Sequence, residues 1–127
     1  MEQQGPVALS DSERRIMELL WREGETPARR VAEVMEREYG WNVNATYTLI
    51  KRCIRKGAAE RREPGFLCRP LVSWDSVRQS ETERLLDRVF DGSVDLLFSA
   101  LVGSGRLSGP ELERLRKRLE TLETEEN

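Results

Sequence analysis

Apolar and polar positions follow a helical period along most of this chain. After Leu9, Ser10-Asp11-Ser12-Glu13 has the form of a capping box, in which the Ser and the Glu three residues later satisfy each other's backbone N–H groups. It opens a helix to about Arg22 that turns Ile16, Met17, Leu20 and Trp21 inward, and Gly24 ends it. Thr26-Pro27 then offers an N-cap followed by Pro at the first helical position. The second helix runs to about Tyr39 with Ala28, Val31, Ala32 and Met35 on its apolar side, and Gly40 closes it. Asn42 caps a third helix, which Gly57 stops. Two short extended segments follow, Ala58 to Glu63 and Phe66 to Val72, joined through Pro64-Gly65 as a hairpin. Three helices and a two-stranded hairpin predict a winged helix-turn-helix over residues 9–73, behind a loose tail at residues 1–8.

Residues 74–127 carry helical patterns only, so the fold class is mainly α. A helix from Trp74 or Asp75 to about Phe90 is interrupted by Asp91-Gly92-Ser93. Val94, Leu97, Phe98 and Leu101 then recur at i, i+3, i+4 and i+7. A second capping box, Ser108 to Glu111, opens a last helix with Leu112, Leu115, Leu119 and Leu122 on one side. Helices this short bury little by themselves. A helical dimerisation domain is the preferred expectation, with packing against the winged helix as the alternative.

The third helix carries the candidate chemistry. At 100° per residue, Asn44, Thr48, Lys51 and Arg55 share a narrow stripe with Tyr47 beside it, opposite Thr46, Leu49, Ile50 and Cys53. The outer stripe has hydrogen-bonding and basic groups and no carboxylate. Asn, Thr, Tyr and Lys read base edges, and Lys and Arg pair with phosphates. The stripe alone serves a solvated surface helix equally well; a helix-turn-helix before it and a basic wing after it favour a DNA-reading helix. The candidate DNA-contacting residues are Asn42, Asn44, Ala45, Tyr47, Thr48, Lys51, Arg52, Arg55, Arg61 and Arg62. For Arg61 and Arg62 a solvated turn is the alternative to phosphate contact.

The 127 residues carry a net charge of −2, with 35% charged and 6% aromatic residues. That leaves material for a modest core, which dimerisation would complete. Charge is uneven, however. Residues 42–62 hold six basic side chains against the single acid Glu60, and local charge steers a protein onto DNA more than its total does. There is no histidine, and the two cysteines, Cys53 and Cys68, form no CxxC, so no metal or cofactor site is expected. The cysteines are read as reduced small apolar fillers, with a redox pair as the alternative. The N-terminal residues have no signal-peptide pattern, and no apolar run approaches the ~20 residues that span a bilayer, so a cytoplasmic location is expected. With neither histidine nor a Gly-rich phosphate loop, an enzyme is not expected. A winged helix serving only as a protein-interaction module remains the alternative function.

Several stretches, in order, resemble the penicillinase and methicillin-resistance repressors (the BlaI/MecI/CopY type). They are LSDSERRIMELLW, TPARRVAEVM, TYTLIKRCIRKG, the wing ending RPLVS, VFDGSVDLLFSALV and LSGPELERLRKRL. The resemblance implies a homodimeric winged-helix repressor that binds inverted-repeat operators of β-lactamase or related resistance genes. The dimer faces would carry Val94, Leu97, Phe98, Leu101, Leu112, Leu115 and Leu119. In several members a membrane sensor metalloprotease leads to cleavage in the C-terminal domain. The corresponding place here is Ala100-Leu101, where the family has Asn-Phe. The family also usually carries Thr and then Val or Ile where this chain has Ala45 and Thr46. The paired cysteines of the copper-responsive branch are missing from the C-terminal residues.

Overall fold

The structure, a computed structural model, describes residues 7–126. The order of elements is α1 (Asp11–Glu23), β1 (Thr26–Pro27), α2 (Ala28–Tyr39), α3 (Val43–Arg55), β2 (Ala59–Arg62), β3 (Leu67–Pro70), α4 (Trp74–Val89), α5 (Val94–Gly103) and α6 (Gly109–Glu126). They fall into two compact units, the first running to Glu83 and the second starting at Arg84.

Local chemistry sets the ends of the helices in the first unit. The capping box forms: Ser10 Oγ accepts from Glu13 N, and Glu13 Oε1 accepts from Ser10 N. Gly40 ends α2 in the left-handed region (φ 70°), where a side chain would be strained. Ile16, Met17, Leu19 and Leu20 of α1, Val31, Val34 and Met35 of α2, and Ile50 and Cys53 of α3 make the buried core. Residues 1–6 of the expected tail lie outside the described residues, and Val7, expected to be loose, is buried in this core.

Thr26-Pro27 behaves differently from the sequence reading. It does not cap α2. Thr26 is buried and pairs with Cys68, Pro27 pairs with Leu67, and the Thr26 hydroxyl donates to the Gly24 carbonyl. The wing is therefore a three-stranded antiparallel sheet in the order β1-β3-β2 rather than two strands. The cause lies at the start of α2, where the Ala28 N–H donates to the Phe66 carbonyl at 2.9 Å. The hairpin supplies the acceptor that a capping side chain would have given.

The first unit also includes the beginning of α4. Trp21 and Trp74 stack with ring centres 4.5 Å apart, and Trp21 Nε1 donates to the Val72 carbonyl at 2.8 Å. Val77 is buried, and the Arg78 guanidinium lies 4.2 Å from the centre of the Trp74 ring. The second unit contains the rest of α4 with α5 and α6. Ser93 caps α5 by accepting from Leu96 N, and Ser108 and Glu111 form a reciprocal capping pair at the start of α6. Among the described residues, neither α5 nor α6 has a buried side chain.

Candidate nucleic-acid interface

The third helix is anchored at both ends and along one face. Asn42 Oδ1 accepts from Ala45 N at 3.1 Å, so the oxygen of that amide is used as the N-cap. Thr46, Ile50 and Cys53 are buried, and the Thr46 hydroxyl donates to the Asn42 carbonyl. At the far end, Lys56 Nζ lies 2.6 Å from the buried carboxylate of Glu13 and donates to the Ala8 carbonyl at 2.8 Å. These contacts leave little freedom for α3 to turn about its axis.

The outward face carries Asn44, Ala45, Thr48, Lys51, Arg52 and Arg55, all exposed. Thr48 donates its hydroxyl proton to the Asn44 carbonyl, which leaves its oxygen as an outward acceptor. Lys51, Arg52 and Arg55 have no carboxylate partner among the described residues. Three unpaired cations on one helix without an acid make an attractive surface for phosphate. Tyr47 departs from this pattern. Half buried, it packs edge-on to Phe66 with ring centres 5.9 Å apart, so its ring braces α3 against the wing.

The wing is positioned well but is electrically balanced. Arg61 hydrogen-bonds Glu63 and lies 3.7 Å over the Phe66 ring. The Arg61 side chain holds the Glu63 carboxyl below its ordinary pKa, helped by the Phe66 N–H. Arg62 is 3.6 Å from Glu25, and Arg69 is 2.8 Å from Glu60. Of the six basic residues within 42–62, three are therefore open on α3, one is structural and two are ion-paired in the wing. The capping box revealed Glu13 as a backbone cap, but no local pattern showed that its carboxylate also holds Lys56. The pairing of Arg62 with Glu25 likewise follows from strand register and from no local pattern.

Cys53 and Cys68 are both buried. Burial pushes the Cys53 thiol up to about 12, helped by the charge of Glu13, and the Cys68 thiol up to about 11, against the opposing pull of Arg61. Both stay protonated at neutral pH. No group of three or more metal-ligating side chains is present among the described residues, and no described helix is long and apolar enough to cross a membrane.

In the second unit, Val94, Phe98, Leu101, Leu112, Leu115 and Leu119 are exposed, and Leu97 is half-buried. Ala100 and Leu101 lie within α5, both exposed.

Comparison with known proteins places the chain firmly. The family model described as penicillinase repressor matches residues 9–121. The penicillinase repressor of Bacillus licheniformis is 23% identical over 114 residues, covering 88% of this chain and 89% of that protein. The methicillin resistance regulatory protein MecI of Staphylococcus aureus (strain N315) is 25% identical over 110 residues, covering 85% of this chain and 89% of that one. The solution structure of the DNA-binding domain of the repressor BlaI superposes with a TM-score of 0.53 at 21% identity, covering 58% of this chain and 93% of that domain. A second solution structure, Bacillus licheniformis BlaI in monomeric form with the blaP half-operator, gives 0.50 at 22% identity, covering 60% of this chain and 93% of that one.

Proposed function

The chain belongs to the penicillinase repressor family, and from that premise we propose that it is a transcriptional repressor that binds an inverted-repeat operator as a homodimer. The observation that carries this reading is the outer face of α3: Asn44, Thr48, Lys51, Arg52 and Arg55, exposed together, without an acid and without ion-pair partners among the described residues. Asn44 and Thr48 are the base-reading candidates, and the three cations take phosphates. Ala45 presents a methyl group where the family usually has a hydroxyl; a methyl suits a thymine C5-methyl and points to a different operator sequence. Arg61 and Arg62 reach the backbone from the wing.

The apolar side chains of α5 and α6 support the homodimer. Large apolar side chains exposed in this number along two helices are what an assembly surface covers. Linking two reading helices makes the second contact intramolecular and raises avidity by ~10²–10⁴. A cytoplasmic repressor of β-lactamase or related resistance genes is the role we assign. Release follows from cleavage near Ala100-Leu101 after a membrane sensor metalloprotease is activated. Because that bond lies in helix, α5 has to unwind before a protease takes it as an extended strand.

Titrating the full chain into duplexes from its own promoter region, across a range of salt, tests the reading. Sequence-selective binding with a steep salt dependence is expected. Binding that ignores both sequence and salt would leave a protein-interaction module as the better account.

A further inference from the structure

Every arginine of the wing is matched by a carboxylate. Arg61 pairs with Glu63, Arg62 with Glu25 across to the turn before β1, and Arg69 with Glu60 on the neighbouring strand. Glu63 also receives the Phe66 N–H at 3.2 Å, so its carboxylate is fixed in place. The pairs are partly exposed, and exposed ion pairs add little to stability. As devices for holding the sheet together they are weakly motivated. Their effect on an approaching polyanion is stronger. The wing with Glu25 has no net charge, whereas α3 has three cations and no acid.

Sequence-independent attraction to DNA comes from cations that displace counterions from phosphates. A guanidinium already neutralised by a carboxylate gives none of that until the carboxylate is displaced, and the displaced carboxylate then repels the same phosphate. On a mismatched duplex α3 seats loosely, and nothing offsets this repulsion. On a matched site the short-range bonds of α3 hold the backbone against the wing and drive the exchange of partners. We propose that Glu25, Glu60 and Glu63 make the wing a specificity filter, cancelling its attraction for duplex DNA of the wrong sequence. The proposal rests on the DNA-binding reading above.

The test uses the full chain carrying Glu25→Gln, Glu60→Gln and Glu63→Gln together. The probes are a fluorescent duplex bearing the inverted repeat from its promoter region and a scrambled duplex of equal length. Anisotropy is measured over a range of salt. The scrambled duplex should be bound at least ~10-fold more tightly, with a salt slope steeper by about 0.9 for each arginine freed. Binding to the inverted repeat should gain less, so the ratio between the two falls. Asp87→Asn, Glu123→Gln and Glu125→Gln, on α4 and α6, make the same charge change without releasing an arginine and should leave that ratio alone. If the wing variant proves unstable, Glu25→Gln alone should show the same sign at smaller size. An unmoved ratio overturns the proposal, as does an equal effect from the variant on α4 and α6. A wild-type chain that binds neither duplex overturns the DNA-binding reading and this one with it. Wild-type selectivity that the wing variant leaves intact overturns this one alone.

Discussion

Glu13 and Lys56 stand 43 positions apart in the chain, yet they form an ion pair at 2.6 Å with the carboxylate almost fully buried. The pair fastens the end of α3 to the start of α1, where the same carboxylate also caps Ser10. Burial by itself would raise the Glu13 pKa. Lys56 and the Ser10 N–H outweigh it, and the carboxyl stays below its ordinary value of 4.5. A depressed folded-state pKa contributes stability above the unfolded value and loses it as pH falls through the folded one.

Replacing Lys56 with Met should therefore leave a buried carboxylate without its cation and destabilise the first unit by about 1–3 kcal/mol. Urea unfolding at neutral pH measures this. The advantage of wild type over Glu13→Gln should be full above pH 4.5 and shrink below it as the carboxyl protonates. A difference that stayed constant down to pH 3 would mean that Glu13 contributes nothing as an anion.

On α3, charge and sequence reading should separate. Lys51→Ala and Arg55→Ala are expected to weaken binding to every duplex and lower the salt slope by about 0.9 for each phosphate no longer neutralised. Asn44→Ala and Thr48→Ala should relax base preference at about 1–3 kcal/mol for each base edge no longer read, with the salt slope unchanged. Titrations against operators with single base changes distinguish the two. Four variants that all bind like wild type would remove α3 from the interface.

Phe98 is exposed on α5, so a charge there costs the isolated protomer little. In a dimer that covers Phe98, the same charge is buried without a partner. Phe98→Asp should keep the wild-type helical content by circular dichroism while sedimenting as a monomer at micromolar concentration, and it should lose tight operator binding. A variant that sediments like a dimeric wild type would place the assembly surface elsewhere.

The two thiols should be silent in the native protein. With Cys53 raised to about 12 and Cys68 to about 11, almost no thiolate exists at neutral pH, and burial blocks reagents as well. Labelling with a thiol-specific reagent should follow the rate of opening, and both residues should react quickly in denaturant. Prompt labelling of either one under native conditions would reinstate a redox role.

Much of the first unit is legible in the sequence. The capping box at Ser10, the glycines after α1 and α2, and the apolar side of α3 all follow from local chemistry with a fixed period, and each stands where the pattern puts it. What escapes depends on partners distant in sequence. Thr26-Pro27 has the residue types of a helix start, and only the arrival of β3 and Phe66 turns it into a strand. Tyr47 lies beside the outer stripe on a helical wheel, but Phe66 draws its ring to the wing. The arginines of β2 look like open cations in the sequence because Glu25 is far away in the chain and Glu63 stands at the mouth of the Pro64-Gly65 turn.

The stacked pair of Trp21 and Trp74 also gives the molecule an optical handle. The chain has three tryptophans, and two of them share this one contact while the third, Trp41, lies by Tyr39. Indoles that close exchange excitation, so their absorption and emission depend on their mutual angle as well as on solvent. Light absorbed by the pair thus registers whether the first turn of α4 is seated on α1. The protein thus carries a built-in spectroscopic record of how α1 is joined to the start of α4.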